Sequence, residues 1–246
     1  DNMSELVLTI GSSSKEVSSG IVTFLETHIP YAWELREEFL EAIWETVYMM
    51  LVSIGIGGLI GLILGIIMTV TGFNGILENK VVYKVLDSLV NIFRSIPFII
   101  LLALLINVTR AIVGTTIGPT AATIPIIVST IPFFARQVEI ALLEVNPGVV
   151  EAAEAMGSSS FDIITRVYLR EGLTALLRVS ASTVINVIGL TAMAGTVGGG
   201  GLGTMAIARG YQRSRMDVIL VATVLILIIV FITQLIFNWL IRKTEH

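Results

Sequence analysis

Cysteine is missing altogether from the 246 residues, which excludes disulfides, thiol nucleophiles and cysteine-ligated zinc. Histidine is almost missing. His28 and His246 stand far apart and neither belongs to an H-E-x-x-H pattern, so the sequence offers no metal site. Charge is scarce as well, at 14% of residues, where a soluble domain carries about 25%. A net charge of −4 leaves no basic footprint for nucleic acid. No G-x-x-x-x-G-K-[ST] stretch occurs, so the chain has no P-loop with which to bind ATP. What the sequence does have is apolar residues, 54% of the total, and a mean hydropathy of +0.90. It reads as an integral membrane protein.

A helix needs about 20 apolar residues to cross the hydrocarbon, and a central charge costs about 2.5–3.5 kcal/mol. Five runs qualify: Val47 to Val70; Ser88 to Val108, interrupted only by Arg94; Ile112 to Ala135; Val179 to Thr196, with a start nearer Leu173; and Val218 to Ile241. The expected fold is all-α, with five transmembrane helices over residues 42–241 and a polar, amphipathic segment over 1–41. Asp1 to Gly20 is serine-rich and lacks a basic stretch followed by an apolar core, so no cleaved signal peptide is expected there. From Ile29 to Glu45, Trp33, Phe39, Leu40, Ile43 and Trp44 alternate with Glu34, Glu37, Glu38 and Glu41. That pattern predicts a helix lying on the membrane surface, with a partner-docking face as the alternative.

Within the spans, Gly57, Gly61 and Gly65 recur every four residues, which lets another helix approach closely. The third run carries Pro119, Pro125 and Pro132, with Arg136 and Glu139 three apart and able to pair across one turn. Intramembrane charge marks function by default. Arg94, Arg136 and Glu139 fall near the ends of their spans, which favours a structural ion pair or snorkelling over substrate contact. Gly198 to Gly203, G-G-G-G-L-G, formally contains G-x-G-x-x-G. It follows a membrane helix rather than a strand, so it predicts a compact bend and no dinucleotide site.

The polar insert from Asn146 to Arg170 interrupts this apolar chain. Asn146 can cap a helix, Pro147 suits its first position, and Gly157 can end it in a left-handed conformation after about three turns. Ser159 and Asp162 then form a capping-box-like start for a second helix. On a helical wheel Val149, Val150, Ala153 and Met156 share one face and Glu151, Glu154 and Ala155 the other. Periodicity alone fits an amphipathic connector packed on its own protein equally well.

The E-A-A-x-x-x-G pattern, here Glu151, Ala152, Ala153 and Gly157, resembles the cytoplasmic loop of ABC importer permeases. The family pattern usually ends in Leu-Pro; this chain has Leu169 and Arg170, so a helix can continue there. N-I-F-R-S-I-P-F-I-I-L-L from Asn91 to Leu102, V-G-T-T-I-G from Val113 to Gly118 and A-L-L-E-V from Ala141 to Val145 are similar to the methionine-uptake branch. The resemblance covers roughly residues 42 to 241. It implies a type I ABC importer-like permease with its coupling helix within residues 146–170. Its implied partners are a second copy of the chain, two ATPase subunits that hold ATP and magnesium, and an extracytoplasmic substrate-binding protein. Beyond the lipid bilayer, no cofactor or nucleic acid is expected on the chain itself. The resemblance also implies a gate at Met193, in T-A-M-A-G-T-V-G; packing filler is the other reading of a flexible thioether among small residues.

A secondary transporter or channel is the competing class. It would show repeated halves and midplane charge, and five spans do not divide equally. An intramembrane enzyme would need a convergent catalytic set, which the sequence lacks. The insert side of the membrane collects nine of fifteen basic residues, which predicts that side, and the C-terminus with it, to be cytoplasmic. The stretch from Arg209 to Arg215 falls on the other side, against that rule.

Overall fold

The computed structural model describes Thr23 and residues 26–244; expectations for residues 1–22, 24–25 and 245–246 lie outside the described residues. All regular structure among those described is helical. In chain order, α1 is Pro30–Glu34 and α2 is Arg36–Thr71. Next come α3 Lys80–Ser95, α4 Phe98–Leu104, α5 Ile106–Val113 and α6 Pro119–Leu143. The insert forms α7 Pro147–Ala155 and α8 over 160–171. Then follow α9 Leu173–Val197, α10 over 201–210 and α11 Met216–Thr244. By length and composition α2, α6, α9 and α11 can each cross a bilayer, and α3 with α4 makes a fifth if that bent pair counts as one span.

Three of the expected boundaries move, each for a local reason. The second span is not straight: α3 and α4 meet at 100°. Ile96 takes an extended conformation with ψ 120° because the following Pro97 disfavours a helical residue before it. The third span begins at Pro119 rather than Ile112. Gly114, at φ 82°, ends α5, and Gly118, at φ 96°, delivers the chain to a proline at the first position of α6. Nor does the acidic stretch from Ile29 to Glu45 form a separate surface helix. From Arg36 on it is the start of α2, 36 residues in all. Its Phe39 and Ala42 are buried with Ala32 against Leu202, Met205, Val218 and Ala222, so part of its apolar surface meets protein, while Leu40 and Trp44 stay exposed. The fourth and fifth spans lie as expected.

The core is set by the glycine ridge. A Cβ built on Gly57 would lie 3.1 Å from Thr130 Cβ, on Gly61 3.0 Å from the Ile131 carbonyl, and on Gly65 2.6 Å from both the Ala135 carbonyl and Val138 Cβ. Helix α2 therefore packs backbone-close against α6, as small residues in membrane helices allow.

Contacts also order the two ends of the bundle. At one end Glu38 pairs with Arg209 at 2.8 Å, the Ala32 N–H donates to Asp217 Oδ2 at 3.0 Å, and the Arg215 guanidinium lies 4.3 Å from the Tyr31 ring centre. We call this group of α1, the start of α2, α10 and the start of α11 the collar. It accounts for two of the three arginines that run against the charge rule: Arg209 is matched by the acidic stretch and Arg215 is stacked on an aromatic ring. At the other end Val70, Leu142 and Leu176 share one buried cluster with Val150, Ala153 and Ile163 of the insert.

Candidate coupling surface and gate segment

The insert forms as its residues dictate. Asn146 Oδ1 accepts the Gly148 N–H at 2.9 Å, which satisfies one of the free donors at the start of α7. At its end the Gly157 N–H donates to the Glu154 carbonyl at 2.9 Å and the Ser158 N–H to the Ala153 carbonyl at 3.1 Å. With Gly157 at φ 79°, this is a Schellman stop. Ser159 Oγ accepts the Asp162 N–H at 3.2 Å and opens α8, which runs on through Leu169, Arg170 and Glu171. Helix thus continues where the resemblance allowed a bend, with a π-helical stretch at Ile163–Tyr168.

One face of α7 docks on its own chain and the other stays open, but the division differs from the helical wheel. Val150 and Ala153 are buried, while Val149 is 42% and Met156 80% exposed. Met156 is the C-cap residue, where the chain leaves the helix. Glu151, Ala152, Glu154 and Gly157 are exposed beside it, with Phe161 of α8 at 74%. Of the four residues of the E-A-A pattern, three face outward, and Ala153 anchors the helix from below. Burial, and then the Glu154 carboxylate, push the Tyr168 phenol above its usual range, so the support under α7 is neutral at physiological pH.

Met193 lies one turn before the end of α9 and is 44% exposed. Ser182, Gly189 and Thr196 are exposed along the same helix at spacings of seven, four and three, a stripe of mostly small residues that the chain's own core leaves uncovered. An apolar cavity of about 380 Å³ opens nearby, lined by Ile99, Leu102, Ile106, Pro125, Val197 and Gly199; Met193 is not among its lining. The G-G-G-G-L-G stretch is the compact bend expected, with Gly198, Gly200 and Gly201 at φ 82°, 81° and 69°. The partners of that bend lie far away along the chain. Glu45 Oε2 accepts the Gly201 N–H at 2.6 Å, and Thr46 Oγ1 accepts the Leu202 N–H at 2.9 Å. A hint lies only in Glu45 being the last acid before the charge-free run of α2.

Arg136 and Glu139 do pair, as their spacing predicted, and three further partners come from α3. Arg136 also binds Asp87, Asn91 Oδ1 accepts from it at 3.2 Å, and the Tyr83 hydroxyl donates to Glu139 Oε1 at 2.9 Å. Among the described residues no group of three or more His, Cys, Asp or Glu side chains is arranged to hold a metal ion.

Residues 61–246 match the family model described as "Binding-protein-dependent transport system inner membrane component". The chain is 43% identical over 207 residues to the probable D-methionine transport system permease protein MetI of Vibrio cholerae, covering 84% of this chain and 92% of that protein. It is 48% identical over 199 residues to the methionine import system permease protein MetP of Bacillus subtilis, covering 81% and 90%. Among solved structures, a chain of the MetNI methionine ABC transporter in inward-facing conformations superposes with a TM-score of 0.84 at 40% identity, covering 87% of this chain and 99% of that one. An amino acid ABC transporter crystallised with histidines shares the fold, with a TM-score of 0.71 at 17% identity.

Proposed function

The chain belongs to the family of binding-protein-dependent transport system inner membrane components, and on that footing we propose that it is the permease subunit of an ATP-driven methionine importer. Similarity to methionine permeases over most of the chain carries this reading. The secondary-transporter reading is not favoured, because membership of this family ties transport to a separate ATPase. The chain itself is not an enzyme.

The exposed face of α7, with Glu151, Ala152 and Gly157, is the part the ATPase grips, and Ala153 fixes that helix to the bundle. Two ATPase subunits serve two copies of the permease. The uncovered stripe of α9 that carries Met193 supports a second copy facing it, with the two Met193 thioethers closing an apolar path between them. The collar lies outside the cell and receives the binding protein, and the insert and C-terminus lie in the cytoplasm. ATP-driven closure of the ATPases draws the paired α7 helices together and opens the path outward, and hydrolysis resets it. Moving such a two-state equilibrium from 1:99 to 99:1 takes about 5.5 kcal/mol of differential binding, well within what two ATP molecules and a docked binding protein supply. ATP and magnesium remain on the ATPase.

The test is reconstitution with the ATPase and binding protein, followed by ATP-dependent uptake of labelled methionine, glutamine, histidine and phosphate. Methionine is expected to dominate. Preference for another solute would sink the substrate and leave the importer standing.

A further inference from the structure

We propose that Glu45 and Thr46 are positioning residues for the gate, the pair through which the collar sets where Met193 sits. The proposal rests on the reading of the Met193 segment as the gate, and begins from an oddity of the glycine bend. The bend is shaped around a carboxylate. A Cβ on Gly200 would lie 2.7 Å from Glu45 Oε2, and one on Gly201 2.7 Å from Thr46 Oγ1. Both residues hold positive φ, and that conformation turns the first two amides of α10 toward α2. Glu45 then accepts from Gly201 and Thr46 from Leu202. Thr46 is 2% exposed and its own hydroxyl proton goes to the Ala42 carbonyl at 2.8 Å, so its oxygen is aimed at Leu202. A hydrogen bond to an ionised acceptor is about twice as strong as a neutral one. A carboxylate at the mouth of an apolar span therefore serves a purpose that packing alone does not require.

One turn further, the bend meets the gate backbone to backbone. A Cβ on Gly195 would fall 2.3 Å from the Gly203 carbonyl carbon, and one on Gly203 2.3 Å from the Ala192 carbonyl oxygen. The single Thr204 hydroxyl proton lies between the Gly200 carbonyl at 3.0 Å and the Gly195 carbonyl at 3.2 Å, and the Gly199 N–H donates to the Ala194 carbonyl at 3.0 Å. Residues 192 and 194–195 flank Met193 on both sides, so nothing soft separates residues 203–204 from the gate. On the other side of the clamp, α2 runs into the collar, where Glu38 holds Arg209. The two acceptors on α2 are thus the polar joint between that helix and the part of α10 that meets the gate. A shift of α2 carries the bend, and the bend carries Met193.

The experiment uses the whole transporter in proteoliposomes; exchange and uptake are read with Met193 in place, and labelling with Met193→Cys as a reporter in a chain that has no cysteine of its own. In Glu45→Ala, amide exchange over residues 201–204 should rise about tenfold, the cost of losing a charge-assisted bond. Maleimide labelling at position 193 should quicken, and methionine taken up per ATP hydrolysed should fall severalfold. Thr46→Val should expose the Leu202 amide alone and give part of each effect, while Glu45→Gln, which keeps an acceptor oxygen, should recover most of the loss. If Glu45→Ala does not assemble, Thr46→Val carries the test, with Glu45→Gln as its near-parent control. Faster exchange with unchanged labelling and unchanged coupling would reduce the pair to a helix cap and overturn the proposal, as would unchanged exchange. A parent complex that takes up no methionine would count against the substrate alone, since exchange and labelling still decide the clamp.

Discussion

Arg136 Nη1 donates to Glu139 Oε2 at 2.6 Å across one turn of α6, and each residue also reaches α3, Arg136 through Asp87 and Glu139 through Tyr83. Glu139 is 3% exposed, so its charge is tolerated only while these partners stay. Breaking such a buried pair from one side costs about 3–5 kcal/mol, whereas replacing both members with well-packed neutral residues is often nearly neutral. Arg136→Met should therefore lower the apparent melting temperature in detergent markedly, and adding Glu139→Gln should restore much of it. A double variant no better than the single one would show that the ring does not act as a unit.

Gly65 gives a second, steric test. A methyl there would meet the Ala135 carbonyl and Val138 Cβ at 2.6 Å, which is backbone and the root of a side chain rather than a movable tip. Overpacking of this kind costs about 1–3 kcal/mol. Gly65→Ala should be less stable than the parent by that order, while Gly55→Ala, with nothing within 4 Å of the added atom, should be tolerated. Equal stability of the two variants would contradict the close approach of α2 and α6.

Coupling should fail at Gly157 without the chain unfolding. The residue sits at φ 79° with open space around it, so the penalty of a side chain is conformational and local. Gly157→Asp adds a charge beside the open face of α7. Membrane insertion should be normal, ATP-driven uptake should fall to background, and the ATPase should bind weakly or hydrolyse ATP without transport. Gly157→Asn, a side chain that tolerates the left-handed region, should keep a substantial share of uptake. Full activity in the aspartate variant would remove α7 from coupling.

Sidedness can be read with single cysteines. Ser159→Cys, on the insert, should react with an impermeant maleimide only after the membrane is opened. Tyr211→Cys, at a collar residue 71% exposed, should react in intact cells. Gly200, by contrast, is a poor reporter, because its side chain would collide with Glu45. The reverse pattern of labelling would turn the proposed topology over.

What could be read from sequence was what neighbours along the chain decide. Asn146, Gly157 and Ser159 act within a few residues, so the caps and the stop of the insert were legible, whereas its docking face was not: Val149 and Met156, placed on it by periodicity, are exposed. The run from Val218 to Ile241 was legible because apolar length alone defines it. The break at Pro97 carried a local signal in the preceding Ile96, but an unbroken hydropathy run hid it. The burial of Phe39 and Ala42 depends on α10 and α11, which no window along the chain contains. The bond between Glu45 and Gly201 spans 156 positions, and its donor is a backbone amide, which leaves no trace in residue type.

Helix α2 runs for 36 residues with a π-helical turn at Ile54–Gly58 near its middle, or about 54 Å, at 1.5 Å per residue, well beyond the hydrocarbon layer of about 30 Å. Its first turns carry Glu38 and its last carry Val70, which shares a buried cluster with Val150 and Ala153 under the coupling helix. Such a rod works as a lever. A tilt of about 10° about its midpoint would sweep its two ends about 5 Å each in opposite directions, with no bond along it needing to change. Squeezing at the insert would then arrive at the collar as spreading.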